Sequence, residues 1–197
     1  MHSLDDPPPE ATATRSAVIV PVPAAEDVVG EHRTRLDRAA GWGVPAHLTV
    51  LYPFVPPAEL DERVLDALAA AVATVEAVEV VFAGTAWFGS EVLWLAPHPE
   101  EPLRRLTGAV HEAFPDHPPY GGAFDGVQPH LTVAERALGG AGALEAAEAD
   151  VRTRLPFRQR LDHVLLIVGS ERPRSWRTLR RFELGEGASA QAVVTSR

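Results

Sequence analysis

Two short segments of the chain read almost alike: Ala46-His47-Leu48-Thr49-Val50 and Pro129-His130-Leu131-Thr132-Val133. Each follows a turn-forming stretch, Val44-Pro45 in one and Val127-Gln128 in the other. Side chains alternate between the two faces of a β-strand. His47 and Thr49 therefore share one face, and Leu48 and Val50 share the opposite one. His130 and Thr132 stand in the same relation to Leu131 and Val133. Each strand must bury one face and leave an imidazole and a hydroxyl on the other. Two such strands in one chain predict two halves of a site that meet.

A chain of 197 residues with 46% hydrophobic content has room for a sizeable core, in one domain or two fused lobes. It contains no cysteine, which excludes disulfides, thiolate catalysis and Cys-ligated metal centres. The formal charge is −9, against the basic surface that long nucleic acid requires. All the basic side chains are Arg, and many cluster at 152–160 and 172–181. They fit solvated strand and hairpin positions, or, for one or two of them, contacts to a ligand phosphate. The first residues are acidic and Pro-rich, without the pattern of a signal peptide. No apolar run approaches the length of a membrane span. The expectation is a soluble, cytoplasmic protein, monomeric, with no membrane partner.

Along the chain, residues 1–15 read as a disordered tail, 16–185 as the folded unit and 186–197 as a flexible tail. Strands are predicted at 16–22, 47–52, 78–83, 92–96, 163–168 and 175–184, beside the second motif strand. Helices are predicted at 24–40, 58–75, 99–114 and 140–155. Leu60, Val64, Leu65, Leu68 and Val72 form the buried stripe of the second helix. A Pro- and Gly-rich loop over 115–128 leads into the second motif. The order predicts an α+β fold of two similar lobes, each a small sheet with outer helices, and a cleft between them.

The motifs and their flanks, Pro45 to Phe54 and Pro118 to Phe124 leading into Gln128 to Val133, resemble the 2H phosphoesterase superfamily. Within it the chain is most similar to the 2′-5′ RNA ligase-like branch. The resemblance covers residues 16–185. It implies a bilobal fold with small antiparallel sheets, and activity on a 2′,3′-cyclic phosphate or a 2′-5′ phosphodiester, with ligation as the reverse reaction.

The residues support that chemistry on their own terms. An imidazole titrates near neutrality and can accept or donate a proton. In-line opening of a cyclic phosphodiester needs both acts, on opposite sides of phosphorus. His47 and His130 supply the acid and the base without a metal or cofactor. Thr49 and Thr132 can donate to the non-bridging oxygens. A lone strand histidine is more often a structural hydrogen-bond partner, but the duplication argues otherwise. The alternatives are a nucleotide-binding module without turnover and an interaction protein with no site.

Trp42, Tyr52, Tyr120, Phe124 and Trp176 are candidates for stacking a nucleobase, with loop or core packing as the alternative. Arg136 could reach phosphate, offset by Glu135 beside it. Trp87, Phe88 and Trp94 read as core or hairpin packing. His32, His98, His111, His117 and His163 form no metal-ligand pattern. Phosphate-binding and dinucleotide-binding Gly-rich loops are absent, as is a nucleophile elbow. The expected partner is a small nucleotide or an RNA end bearing a cyclic phosphate.

Overall fold

The computed structural model describes residues 13–122 and 127–186. Most of the two expected tails, and Phe124, lie outside the described residues. The described residues form two four-stranded antiparallel sheets with helices packed on them. One sheet runs in the order β2-β1-β7-β8 and comprises β1 (Arg15–Pro21), β2 (His47–Leu51), β7 (His163–Gly169) and β8 (Arg177–Glu183). The other runs β5-β4-β3-β6 and comprises β3 (Val78–Phe88), β4 (Val92–His98), β5 (Leu131–Glu135) and β6 (Phe157–Leu161). Each motif strand is an edge strand, and β2 and β5 approach one another between the sheets.

The lobes are not the two halves of the sequence. The closing strands β7 and β8 return to pair with β1, so the first sheet is built from both ends of the chain. The helices also cross over. α1 (Glu26–Leu36) and α5 (Arg136–Arg152) pack on the second sheet, while α3 (Glu62–Ala73) and α4 (Glu101–Ala113) pack on the first. One continuous core results, containing Val18 and Val20, Leu48 and Val50, Leu93 and Leu95, and Leu131 and Val133. The strand residues between these face the other way, toward the cleft.

Local chemistry explains most boundaries. Asp61 caps α3, its Oδ1 accepting the Val64 N–H at 3.0 Å. Leu68 and Val72 are buried in the predicted stripe, with Leu60, Val64 and Leu65 packed beside them. Several boundaries differ from expectation. The helix predicted over 24–40 breaks at Asp37, which adopts extended backbone and caps a short helix α2 (Arg38–Gly41). Helix α5 begins at Arg136 and kinks at Gly140, whose φ of 74° suits glycine. β3 runs on to Phe88, because β4 pairs with it as far as Val92. Strand β6 is not among the predicted elements: Phe157-Arg158-Gln159-Arg160-Leu161 is mostly polar, and only its pairing with β3 makes it a strand. β1 begins at Arg15, inside the expected tail, where Thr14 N–H donates to Gly169 O.

Candidate active site

The cleft between the sheets holds a cavity of about 290 Å3. His47 and Thr49 of β2 line it, and so do His130 and Thr132 at the start of β5. The strand alternation that buries Leu48, Val50, Leu131 and Val133 therefore turns both His-Thr pairs into one space.

The two imidazoles are held by the same device. His47 Nδ1 lies 2.8 Å from the carbonyl of Pro45, and His130 Nδ1 lies 2.8 Å from the carbonyl of Gln128. A carbonyl oxygen can only accept, so each Nδ1 carries the proton. Each neutral ring then presents an unprotonated Nε2. Both rings resist protonation. Burial pushes His47 down to about 3, reinforced by the nearby Arg33 guanidinium and by His130, and opposed by the Pro45 hydrogen bond. Burial also lowers His130, opposed by its bond to Gln128.

His130 stands among aromatic rings. Phe88 meets it edge-on at a centroid distance of 4.9 Å, Trp94 lies at 6.0 Å, and Tyr120 is stacked at 6.4 Å. Phe88 and Trp94 are stacked on each other at 4.8 Å. Assigning Phe88 and Trp94 to packing alone misses their position beside the imidazole. The signal is the register: Trp94 is the Cα partner of Thr132, a pairing not readable from local sequence. Trp87 packs against the core as expected.

Tyr120 ties the two motifs together. Its N–H donates to Tyr52 O at 2.7 Å, its hydroxyl is hydrogen-bonded to Thr49, and its ring stacks on His130. It holds a left-handed backbone (φ 53°), uncommon for a residue with a Cβ. Burial raises its phenol above the usual range.

The far wall of the cavity is apolar. Ala17 and Ile19 of β1, Ile167 of β7, and Val44, Trp42, Tyr52 and Trp176 form or adjoin a second hydrophobic cluster there. Tyr52 and Trp176 lie 6.3 Å apart and tilted. Tyr52 Oη accepts from Arg15 at 2.7 Å. Trp176 Nε1 donates to Ser170 O at 2.9 Å, fixing the indole.

The charged residues among the lining are Asp37 and Glu135, both acidic. Asp37 is buried beneath the cavity and pairs with buried Arg33, Oδ2 to Nε 2.8 Å. Burial pushes the Asp37 carboxyl up, against the pull of Arg33 and the Ala39 N–H. Glu135 accepts the Arg38 N–H at 3.0 Å, joining the lobes. Arg136 turns to Glu91, its guanidinium 3.8 Å away, and is not among the lining residues. Several of the clustered arginines pair elsewhere, Arg154 with Asp150, Arg158 with Glu79 and Arg181 with Glu183. His32 and His163 pair with Asp150 and Asp162. Among the described residues, no group of three or more His, Asp or Glu side chains is placed to hold a metal ion.

Two four-stranded antiparallel sheets enclosing one cleft make a LigT-like fold. A comparison with protein families matches residues 20–173 to the 2′-5′ RNA ligase superfamily, and the chain belongs to that family. Solved structures agree on the fold. E. coli LigT complexed with NADP+ is 18% identical, with a TM-score of 0.54 over 88% of this chain and 99% of LigT. TT0787 of Thermus thermophilus is 20% identical, with a TM-score of 0.55 over 88% of this chain and 100% of that one. LigT complexed with 3′-AMP is 18% identical, with a TM-score of 0.52 over 87% of this chain and 98% of LigT. A comparison with curated protein sequences gives no significant match. Family and fold together define a phosphoesterase or ligase-like protein. Among the described residues, no helix is long and apolar enough to cross a membrane.

Proposed function

We propose that the protein is a metal-independent phosphoesterase that opens a 2′,3′-cyclic phosphate, or cleaves a 2′-5′ phosphodiester, of a nucleotide or RNA end. The observation that carries this is the duplicated, carbonyl-locked imidazole with a Thr two residues on, both copies facing one cavity. Water attacks phosphorus from one side, and one Nε2 takes its proton. The bond from phosphorus to a ribose oxygen breaks on the other side, and the second imidazole gives that oxygen a proton. Thr49 and Thr132 donate to the non-bridging oxygens, where charge builds. Arg33 grips the carbonyl of Val44 in the turn before His47 and opposes protonation of that ring, which favours His47 as the base and His130 as the acid.

The nucleoside goes to the apolar wall, where Trp42, Tyr52 and Trp176 offer ring faces. A cavity of about 290 Å3 and its acidic lining favour a mononucleotide-sized ligand over a long strand. E. coli LigT has been crystallised with ATP, 3′-AMP and phosphate, which supports a small nucleotide ligand here.

A second reading is a nucleotide-binding module without turnover. One observation favours it: each Nδ1–H is spent on a backbone carbonyl and burial lowers the proton affinity of both rings, whereas an acid must carry a proton on Nε2. Under the first reading the incoming phosphate anion supplies the charge that raises His130. The test is turnover of 2′,3′-cyclic mononucleotides in EDTA by the wild type, His47→Ala and His130→Ala. Hydrolysis that survives EDTA and falls by about 100-fold or more in each variant supports the first reading. Binding without turnover by the wild type, extended to 2′-5′-linked and cyclic-phosphate RNA ends, selects the second.

A further inference from the structure

Behind each imidazole lies an arginine clamp, and the two clamps correspond. On the first motif, Arg33 of α1 donates through Nη2 to the carbonyl of Val44 at 3.2 Å. Its Nη1 lies 3.6 Å from Glu26 Oε1, which in turn accepts the Ala46 N–H at 2.6 Å. On the second motif, Arg104 of α4 donates through Nη1 to the carbonyl of Val127. Its Nη2 donates to Glu100 Oε2 at 2.8 Å and to Gln128 Oε1 at 2.9 Å, and Gln128 Nε2 donates to Glu100 Oε1 at 2.9 Å.

In both cases the arginine grips the carbonyl three residues before the histidine. In both a glutamate at or before the start of the same helix closes the grip on the next residues of the turn. The carbonyl that holds Nδ1 belongs to the residue after the one the arginine grips, Pro45 in one copy and Gln128 in the other. The carrier helices cross between lobes. α1 packs on β5 and clamps the approach to β2, while α4 packs on β2 and clamps the approach to β5. Each helix thus serves both motif strands.

We infer that Arg33 and Arg104 are equivalent positioning residues, each fixing the turn whose carbonyl keeps a catalytic imidazole as its Nδ1–H tautomer with Nε2 in the cavity. The inference rests on His47 and His130 being the acid and base. Glu100 fits the scheme: burial pushes its carboxyl up, but the hydrogen bonds from Arg104 and Gln128 outweigh this and hold it low.

Arg104 is the one to change, since its side chain is 46% exposed and its loss leaves no buried orphan charge. Arg104→Met keeps the stem and deletes the donors. Arg105→Met is the control, because Arg105 pairs with Glu101 on the same helix and away from the motif turn. Gln128→Leu removes the same grip from the loop side, should Arg104→Met fold poorly. The first readout is the His130 tautomer, from long-range 15N–1H spectra of the ligand-free protein. The second is kcat and KM on a 2′,3′-cyclic mononucleotide.

Arg104→Met is expected to move His130 away from pure Nδ1–H and leave His47 unchanged. It lowers kcat about 10- to 100-fold with little change in KM, as expected for a displaced catalytic group. Arg105→Met does neither. An unchanged His130 tautomer in Arg104→Met overturns the clamp, whatever the rate. A changed tautomer with unchanged kcat keeps the clamp and removes His130 from the reaction. A wild type inactive on cyclic nucleotides and on 2′-5′-linked oligonucleotides alike defeats the phosphoesterase reading, while the spectra still decide the clamp.

Discussion

Arg33→Met separates two jobs of one buried cation. Arg33 and Asp37 are 2% and 3% exposed, with Nε and Oδ2 at 2.8 Å. Deleting one partner of such a pair strands the other charge, at a cost of about 3–5 kcal/mol. At about 2–4 °C per kcal/mol for a chain of this size, the melting temperature falls by about 6–20 °C at pH 7.5. The loss depends on pH in a defined direction. Asp37 already has a raised carboxyl in the folded state, and without Arg33 it rises further. The folded state then binds that proton more tightly than the unfolded chain does. The deficit is full above the folded value and shrinks as pH falls through it. Adding Asp37→Asn to Arg33→Met removes the stranded charge and restores at least half of the loss. Melting and urea curves from pH 7.5 to 4.5 check all three points. A deficit below about 1 kcal/mol at pH 7.5, or one that does not vary with pH, refutes the reasoning. The variant also removes a cation from behind His47, so the proton affinity of that ring rises.

Other outcomes follow from the same geometry. Under the proposed mechanism Thr49→Val and Thr132→Val each delete one donor to the phosphoryl oxygens, and each is expected to lower kcat about 100-fold, more than it raises KM; equal kcat in either variant removes that hydroxyl from the proposed mechanism. His47 and His130 have folded-state values below the ordinary imidazole, so the unfolded chain binds more protons in acid. Stability is full above about pH 6.5 and falls as pH drops toward 3, and His47→Asn flattens that limb. A melting profile between about pH 6.5 and 4 with the same slope in His47→Asn contradicts this. Gly169→Ala drives a Cβ into the ring of Trp176, whose indole is anchored by its hydrogen bond to Ser170 O. The expected cost is about 1–3 kcal/mol, with a shift in tryptophan fluorescence and weaker nucleotide binding; a wild-type melting temperature would count against the packing described.

The motif strands were legible because strand alternation is a local property. His-Leu-Thr-Val must place His with Thr and Leu with Val in any sheet, and an apolar face must be buried. The apolar stripe of α3 was legible for the same reason. Other features needed the folded chain. Nothing within Phe157 to Leu161 marks a strand, since β3 supplies its pairing. Asp37 breaks a helix-forming stretch because its carboxylate is held by Arg33 and caps the next turn.

The sequence alone thus determined which residue types share a face, and so the reaction class that paired imidazoles and hydroxyls can support. The tertiary structure decided what surrounds them: the aromatic rings about His130, the acidic rather than basic lining, and the arginine clamps behind both turns. Those contacts join residues as far apart as Arg38 and Glu135. The β7–β1 pairing and the crossed helices bring such residues together, and long-range pairing of that kind leaves no local periodicity to read.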